Sequence, residues 1–491
     1  MNVTDLLGQL ARSVPSQPAI IDDAGRLSFL EFEVLVARYA ARLARAGVEP
    51  GQLIGLSLST SRTSFAMMLA IARMGAVSVP MAPERPAESR HAECVQFGVH
   101  AILAEDRSAA IDGTRFIGFD AGWSAGDDFL HAGYARPGRW PWRLHISSGT
   151  TGRRLKGVLD SHQGVIYGAV VQGALGLSPA RQRFLVGLPL TVGSAIRPTL
   201  RSLLSGAAVI VPKARTPEDI SRAIIEHRAT DALLDQFTVQ RLIARLPSGR
   251  GGLPSLARLV VGGFVVPPEL LAQIADRIAP DVVTTYGATE TGLVALAQRA
   301  DLERMPGAAG RIAPGVAVEI VDDADRPLPH GEVGIVRVRS AGCADRYVRD
   351  PELSARIFRD GWVYPGDYGR YGADGYLYLE SRVDDVIKVG GNLIHLAHID
   401  RLLAAAPGVR EAASFAFTEA DARTAIHAAV VPDTDAPQAP DTAALIAQCR
   451  EKLGFLSAPR SITVVGALAR NDNGKVMRHE LLRRWKSGEL K

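Results

Sequence analysis

Eleven consecutive residues, SSGTTGRRLKG (Ser147–Gly157), hold three glycines, four hydroxyl side chains and three cations. Glycine lets successive backbone N–H groups turn inward as an anion-binding nest, and the hydroxyls add donors. That mixture suits phosphate, although a basic surface turn has the same composition. It is not the Walker loop G-x-x-x-x-G-K-[ST], because Lys156 is followed by Gly157 and a hydrophobic residue. A second chemical stretch is YGATE (Tyr286–Glu290). A flat aromatic beside glycine makes a slot for a base, and a carboxylate a few residues on can hold a hard cation against phosphate oxygens. Taken alone, YGATE also reads as a strand end capping a helix.

Other chemistries find less support. There is no G-x-S-x-G, and Ser147 and Ser148 belong to the phosphate loop, which argues against a serine hydrolase. His395 and His398 fall on an expected helix, but only Asp400 stands near them at ligand spacing, which argues against a metal site. Cys94, Cys343 and Cys449 are far apart and fit a reducing cytosol. The 56 cationic and 52 anionic residues nearly balance and form no basic tail, so nucleic acid is not an expected partner. The first residues show no basic start followed by an apolar run. The longest apolar stretch, Gly164–Leu177, is about six residues short of a membrane span. The expectation is a cytoplasmic protein without a membrane contact, its oligomeric state open.

The elements that must carry these residues alternate. A chain of 491 residues exceeds one hydrophobic core, since cores stop growing near roughly 250–300 residues. Phe32–Val48 repeats apolar residues at three and four and predicts a helix, Leu53–Ser59 a buried strand, Thr63–Gly75 a helix and Ala76–Met81 a strand. Further β-rich runs at 183–190, 207–212, 256–263 and 281–287 predict mostly parallel sheets covered by helices. After Val158 the sequence predicts a turn and then a helix. Residues 317–378 switch to short strands joined by Pro/Gly/Asp turns. After Arg382 the pattern resets to a compact α+β unit. The expected architecture is α/β: a large N-terminal domain, 1–381, with a β-rich subdomain at about 310–380, and a small mobile domain, 382–491.

Across this frame the sequence resembles the adenylate-forming superfamily of acyl- and aryl-CoA ligases, nonribosomal peptide synthetase adenylation domains and luciferases. The residues that carry the likeness run in order from about Leu27 to Arg478. Ser147-Ser148-Gly149-Thr150-Thr151-Gly152-Arg153-Arg154-Leu155-Lys156-Gly157-Val158 is similar to T-S-G-T-T-G-x-P-K-G-V, the loop that clasps the β- and γ-phosphates of ATP. In Y-G-x-T-E the family's tyrosine stacks on adenine, its threonine contacts the α-phosphate and its glutamate ligates Mg²⁺, which implies these roles for Tyr286, Thr289 and Glu290, with Gly287 beside the base. GGFVVPPEL, with Gly262, Gly263 and Phe264, is similar to the adenine-side loop. Asp367 stands where the family's aspartate accepts bonds from both ribose hydroxyls, and an acceptor-only carboxylate suits a diol. Arg382 resembles the arginine that also reaches the ribose, and Asp384 the family's hinge. The stretch Arg470–Arg478 resembles the last motif, whose lysine, here Lys475, bridges the carboxylate and ATP. A mobile cation lowers the barrier where two anions meet and charge builds on phosphorus.

The resemblance implies two steps: a carboxylate joins ATP·Mg²⁺ as an acyl-adenylate with release of pyrophosphate, then a pantetheine thiol displaces AMP. Rotation about Asp384 is expected to withdraw Lys475 and bring in the Gly390–Gly391 face, Gly391 leaving room for the thiol. Sixteen residues follow Lys475, so the thiol is expected on CoA, with a separate carrier protein's phosphopantetheine as the alternative. A non-thioester adenylating enzyme, such as an amide-forming ligase, and a catalytically silent nucleotide binder remain further alternatives. The sequence departs from the family at four places. One extra residue separates Gly152 from Lys156, and Leu155 replaces proline. Thr191 and Val192 replace an aromatic–His gate. Phe264 replaces a small residue at the acyl pocket, which is expected to include Val192, Gly193 and Ser194. His398 replaces a glutamate. The small carboxylic acid itself is not named by the sequence, although no aspartate near Ser194 awaits an ammonium group.

Overall fold

The computed structural model describes the chain apart from residues 60, 136–138, 149–154, 178–181, 250–251, 263–265, 390–391, 419–423, 434–435, 437, 471–475 and 491, and apart from the side chains of 61, 148, 388, 393 and 418. The first long helix shows how the sequence writes its own boundaries. Ser28 caps it and Glu31 reaches back to the Ser28 backbone, a reciprocal box that satisfies two orphan donors. From there Phe29, Phe32, Val36, Tyr39, Ala40 and Leu43 bury one face of Phe29–Arg45.

Nine elements position the site: β1 (Pro141–Ser148), β2 (Leu155–Ser161), α1 (His162–Ala174), α2 (Gly193–Leu204), β3 (Asp281–Ala288), β4 (Gly292–Gln298), β5 (Asp367–Tyr371), β6 (Leu377–Arg382) and α3 (Leu396–Ala404). Two sheets carry them. A six-stranded sheet is parallel through Ala101–Ala104, Leu53–Ser57 and Val77–Pro80 to β1, and closes with β2 antiparallel to β1. The turn expected after Val158 is therefore strand instead. Pairing across β1 sets Leu144 opposite Leu159, and Val158 is buried, so extended backbone keeps apolar side chains out of water. Ser161 then caps α1 by accepting from the Gly164 N–H at 3.0 Å.

The second sheet is parallel through Asp231–Leu234 and Arg258–Gly262 to β3, then becomes antiparallel through β4 and Ala308–Ile312 to β6 and β5. Apolar residues of both sheets and their covering helices pack as large clusters, one centred on Phe32, Phe65, Trp142 and Leu200. The YGATE stretch lies where β3 turns back into β4, not at a helix cap. A Cβ on Gly287 would sit 2.0 Å from the Gly292 carbonyl oxygen, and Gly292 takes φ +68°, so this tight hairpin needs both glycines.

The segment after β6 has its own apolar cluster, around Ile394, Ile399, Leu403, Val430 and Cys449. A three-stranded sheet (Val409–Thr418, Thr424–Pro432, Ser461–Val464) backs α3. Arg478 ties this unit together, bonding Asp385 at 3.0 Å and Asp400 at 2.6 Å.

Candidate active site

Three strand ends converge on one carboxylate. β3 delivers Tyr286, whose hydroxyl donates to Asp367 Oδ2 at 2.7 Å. β6 delivers Arg382, the register partner of Asp367, with Nη1 donating to Oδ1 at 2.8 Å. Burial and then the Asp367 charge push the Tyr286 phenol well above its ordinary pKa, so it stays a donor. Each carboxylate oxygen thus has one fixed donor and free lone pairs beside a half-buried aromatic ring, the arrangement a vicinal diol and a flat base require. Gly262 ends the neighbouring strand, paired to Thr285, and a Cβ there would meet Thr285 Oγ1 at 3.1 Å.

On the β3–β4 hairpin, Glu290 Oε1 accepts from the Tyr347 hydroxyl at 2.5 Å, and its backbone carbonyl accepts from the Ala344 N–H at 2.8 Å. Oε2 has no hydrogen-bond partner among the described residues. Tyr347 bridges to Val158 of β2, and the Lys156 ammonium lies 5.8 Å from its ring centroid. One buried phenol therefore ties the carboxylate hairpin to the phosphate-loop strand. Burial, reinforced by Glu290, holds that phenol protonated. The sequence reading missed Tyr347, whose only signal is an aromatic residue between the matched segments.

A buried charge cluster underlies the hairpin, and it too escaped the sequence reading. On α2, Arg197 donates from Nε to Asp160 Oδ2 and from Nη2 to the Thr289 carbonyl, both at 2.9 Å. His145 Nε2 lies 3.1 Å from the same Asp160 oxygen. Burial, and then the Arg197 charge, push the His145 pKa down to about 3, so the ring is neutral and donates its Nε2 proton. Burial alone would raise the Asp160 pKa, but Arg197 and the His145 hydrogen bond more than offset it and hold the carboxylate ionised. His145 Nδ1 has no hydrogen-bond partner among the described residues, and a Cβ on Gly193 would lie 3.2 Å from it. Arg143, on the same face of β1, reaches the Leu190 carbonyl at 3.1 Å.

The structure thus gathers Tyr286, Gly287, Asp367 and Arg382; Glu290 and Lys156; and Thr289 with Gly193. Val192 is the N-cap residue of α2, Ser194 lies in its first turn, and Asp384 lies in a short helical turn after β6. Gly149, Thr150, Thr151, Gly152, Gly263, Phe264, Gly391, Lys475 and the Ser148 side chain lie outside the described residues. One detail is corrected. His395 ends a strand instead of sitting on α3, and the carboxylate beside His398 is Glu380, at 3.3 Å, while Asp400 serves Arg478. Among the described residues no group of three His, Cys, Asp or Glu gathers to hold a metal. Among the described residues no helix is long and apolar enough to cross a membrane.

A two-sheet α/β body with a small α+β unit, an Asp–Tyr–Arg cradle and a glutamate hairpin tied through Tyr347 to β2 defines the adenylate-forming class of enzymes. The chain belongs to the AMP-binding enzyme family, which matches residues 8–348, and the C-terminal domain of AMP-binding enzymes matches residues 398–475. It is 28% identical to an indoleacetate–CoA ligase of Aromatoleum aromaticum over 98% of both chains. It is 30% identical to a 2-succinylbenzoate–CoA ligase of Bacillus licheniformis over 69% of each. Its fold is that of ATP-bound MatB from Rhodopseudomonas palustris, with a TM-score of 0.89 at 23% identity, covering all of both chains.

Proposed function

We propose that this enzyme joins an aryl or arylalkyl carboxylic acid to AMP at the expense of ATP and passes the acyl group to CoA. The Asp367 cradle carries the reading, because a buried carboxylate held from two sides by Tyr286 and Arg382 is an acceptor without a substrate until a diol fills it. Tyr286 would face the adenine, Asp367 and Arg382 the ribose, and Lys156 with the 147–157 loop the β- and γ-phosphates. Glu290 would hold Mg²⁺ through its free Oε2, and the ion would neutralise phosphate charge as pyrophosphate leaves. Thr289, fixed by Arg197, would face the α-phosphate. A carboxylate oxygen attacks that phosphorus and pyrophosphate departs. After the unit 382–491 swings about Asp384, the CoA thiol, approaching past Gly391, attacks the mixed anhydride and AMP leaves. The named acids of the relatives support an aryl substrate.

A screen of carboxylic acids for pyrophosphate release, with and without CoA, tests this. Acid-dependent release, with AMP and a thioester formed when CoA is added, is the expected result. Product only with a phosphopantetheinylated carrier protein, or only with an amine, reassigns the acceptor. No release with any acid ends the reading. Glu290→Gln is expected to raise the Mg²⁺ concentration needed for half-maximal release about tenfold. An unaltered Mg²⁺ dependence would remove Glu290 from the metal's surroundings.

A further inference from the structure

Glu290 is half-buried, and its one side-chain hydrogen-bond partner among the described residues is the Tyr347 hydroxyl, which donates to Oε1 at 2.5 Å. A neutral phenol orients a carboxylate without discharging it. Burial, and then the Glu290 charge, keep that phenol protonated, so it acts as a donor throughout. Oε1 is therefore committed, and Oε2 keeps its lone pairs for a cation.

Tyr347 is itself fixed on every side. It is 3% exposed, and its backbone N–H donates to Ser354 Oγ at 2.9 Å. Its ring meets Phe358 edge-on, with centroids 5.2 Å apart. Its backbone bridges to Val158 of β2, and the next N–H, that of Val348, donates to the Gly157 carbonyl at 2.8 Å. The hydroxyl thus cannot follow the Glu290 side chain if that side chain turns. Presenting both carboxylate oxygens to one ion would break the bond and leave a buried hydroxyl unsatisfied, a cost that folded proteins avoid.

That restriction suits some cations better than others. Mg²⁺ takes six ligands at about 2.0–2.1 Å, keeps several waters and is served by a single carboxylate oxygen. Ca²⁺ takes roughly six to eight oxygens at about 2.3–2.6 Å and readily accepts both oxygens of one carboxylate. We propose that Tyr347 is a positioning residue that holds Glu290 as a one-oxygen ligand, and so makes the enzyme select Mg²⁺ over Ca²⁺ in its nucleotide complex. This rests on the adenylation reading above, with Glu290 at the metal, and adds the side chain that sets which ion is used.

The test measures ATP binding by calorimetry with Mg²⁺ or with Ca²⁺, alongside pyrophosphate release with the acids of the screen. Tyr347→Phe keeps the ring, so the Phe358 edge, the Lys156 contact and the backbone bonds remain and the hydroxyl alone is lost. The wild type is expected to bind Mg·ATP more tightly than Ca·ATP, and Tyr347→Phe to narrow that ratio of Kd about tenfold, chiefly by tightening Ca·ATP. A mere loosening of the fold would weaken both complexes alike and leave the ratio in place. Glu290→Asp draws the carboxylate back from the hydroxyl and should narrow the ratio in the same direction, and it decides the matter if Tyr347→Phe fails to fold. Equal binding of the two complexes by the wild type, or an unchanged ratio in a folded Tyr347→Phe, overturns the inference and leaves adenylation standing. No ATP binding with either ion and no pyrophosphate release removes both readings.

Discussion

Lys475→Ala is expected to slow acyl-adenylate formation by about 10²–10³, equivalent to roughly 3–4 kcal/mol, while leaving thiolysis of a supplied acyl-adenylate intact. The asymmetry follows from charge. Joining a carboxylate to ATP brings two anions together as charge builds on phosphorus, whereas thiol attack on a mixed anhydride does not need that cation. Residues flanking Lys475 give the expectation a structural footing. Arg470 and Val476 form a bridge, Arg470 bonds Glu411 at 2.6 Å, and its guanidinium sits 4.8 Å from the ring centroid of Phe237 in the large domain. The stem of the last motif is therefore docked on the adenylating body. A rotation for the second step must break that cation–π contact and the Glu380–His398 pair. Separate assays of the two half-reactions decide the matter, and equal losses in both would sink the two-orientation account.

Asp160→Asn is expected to cost about 3–5 kcal/mol of stability, because it keeps the side-chain shape but strips the one anion from beside Arg197 and Arg143. Thermal unfolding should fall by roughly 3–6 °C. Adenylation should weaken as well, since Arg197 holds the Thr289 carbonyl. A melting point within a degree or two of the parent would show that the cluster is not held by this charge. Acid should act in the same direction. His145 titrates near pH 6.5 when unfolded and at about 3 when folded, so the unfolded chain binds more protons between these values. Stability contributed by burying the neutral ring is whole above pH 6.5 and drains away as pH falls toward 3. Asp160, depressed by its partners, loses its share as pH falls below the ordinary aspartate range.

Much of the site was legible because its residues are neighbours in sequence. Tyr286, Gly287, Thr289 and Glu290 are forced into one place by a single hairpin, and its glycines announce the turn. Asp367 and Arg382 were placed by order along the chain, and register between β5 and β6 makes them partners. Helices such as Phe29–Arg45 declare themselves through cap and periodicity. Tyr347, Arg143, His145, Asp160 and Arg197 were not legible. Each looks locally like an ordinary strand, loop or helix residue.

The amino-acid sequence by itself determined the class of chemistry, because phosphate nests, base slots and tight turns are short-range devices written in consecutive residues. Only the tertiary structure decided where the buried charge lies and which partners answer it. Asp160 meets Arg197 across 37 residues, and Glu290 meets Tyr347 across 57. Whether a charge is paired depends on what folding brings within hydrogen-bond reach in a medium of low dielectric, and separation along the chain carries no record of that.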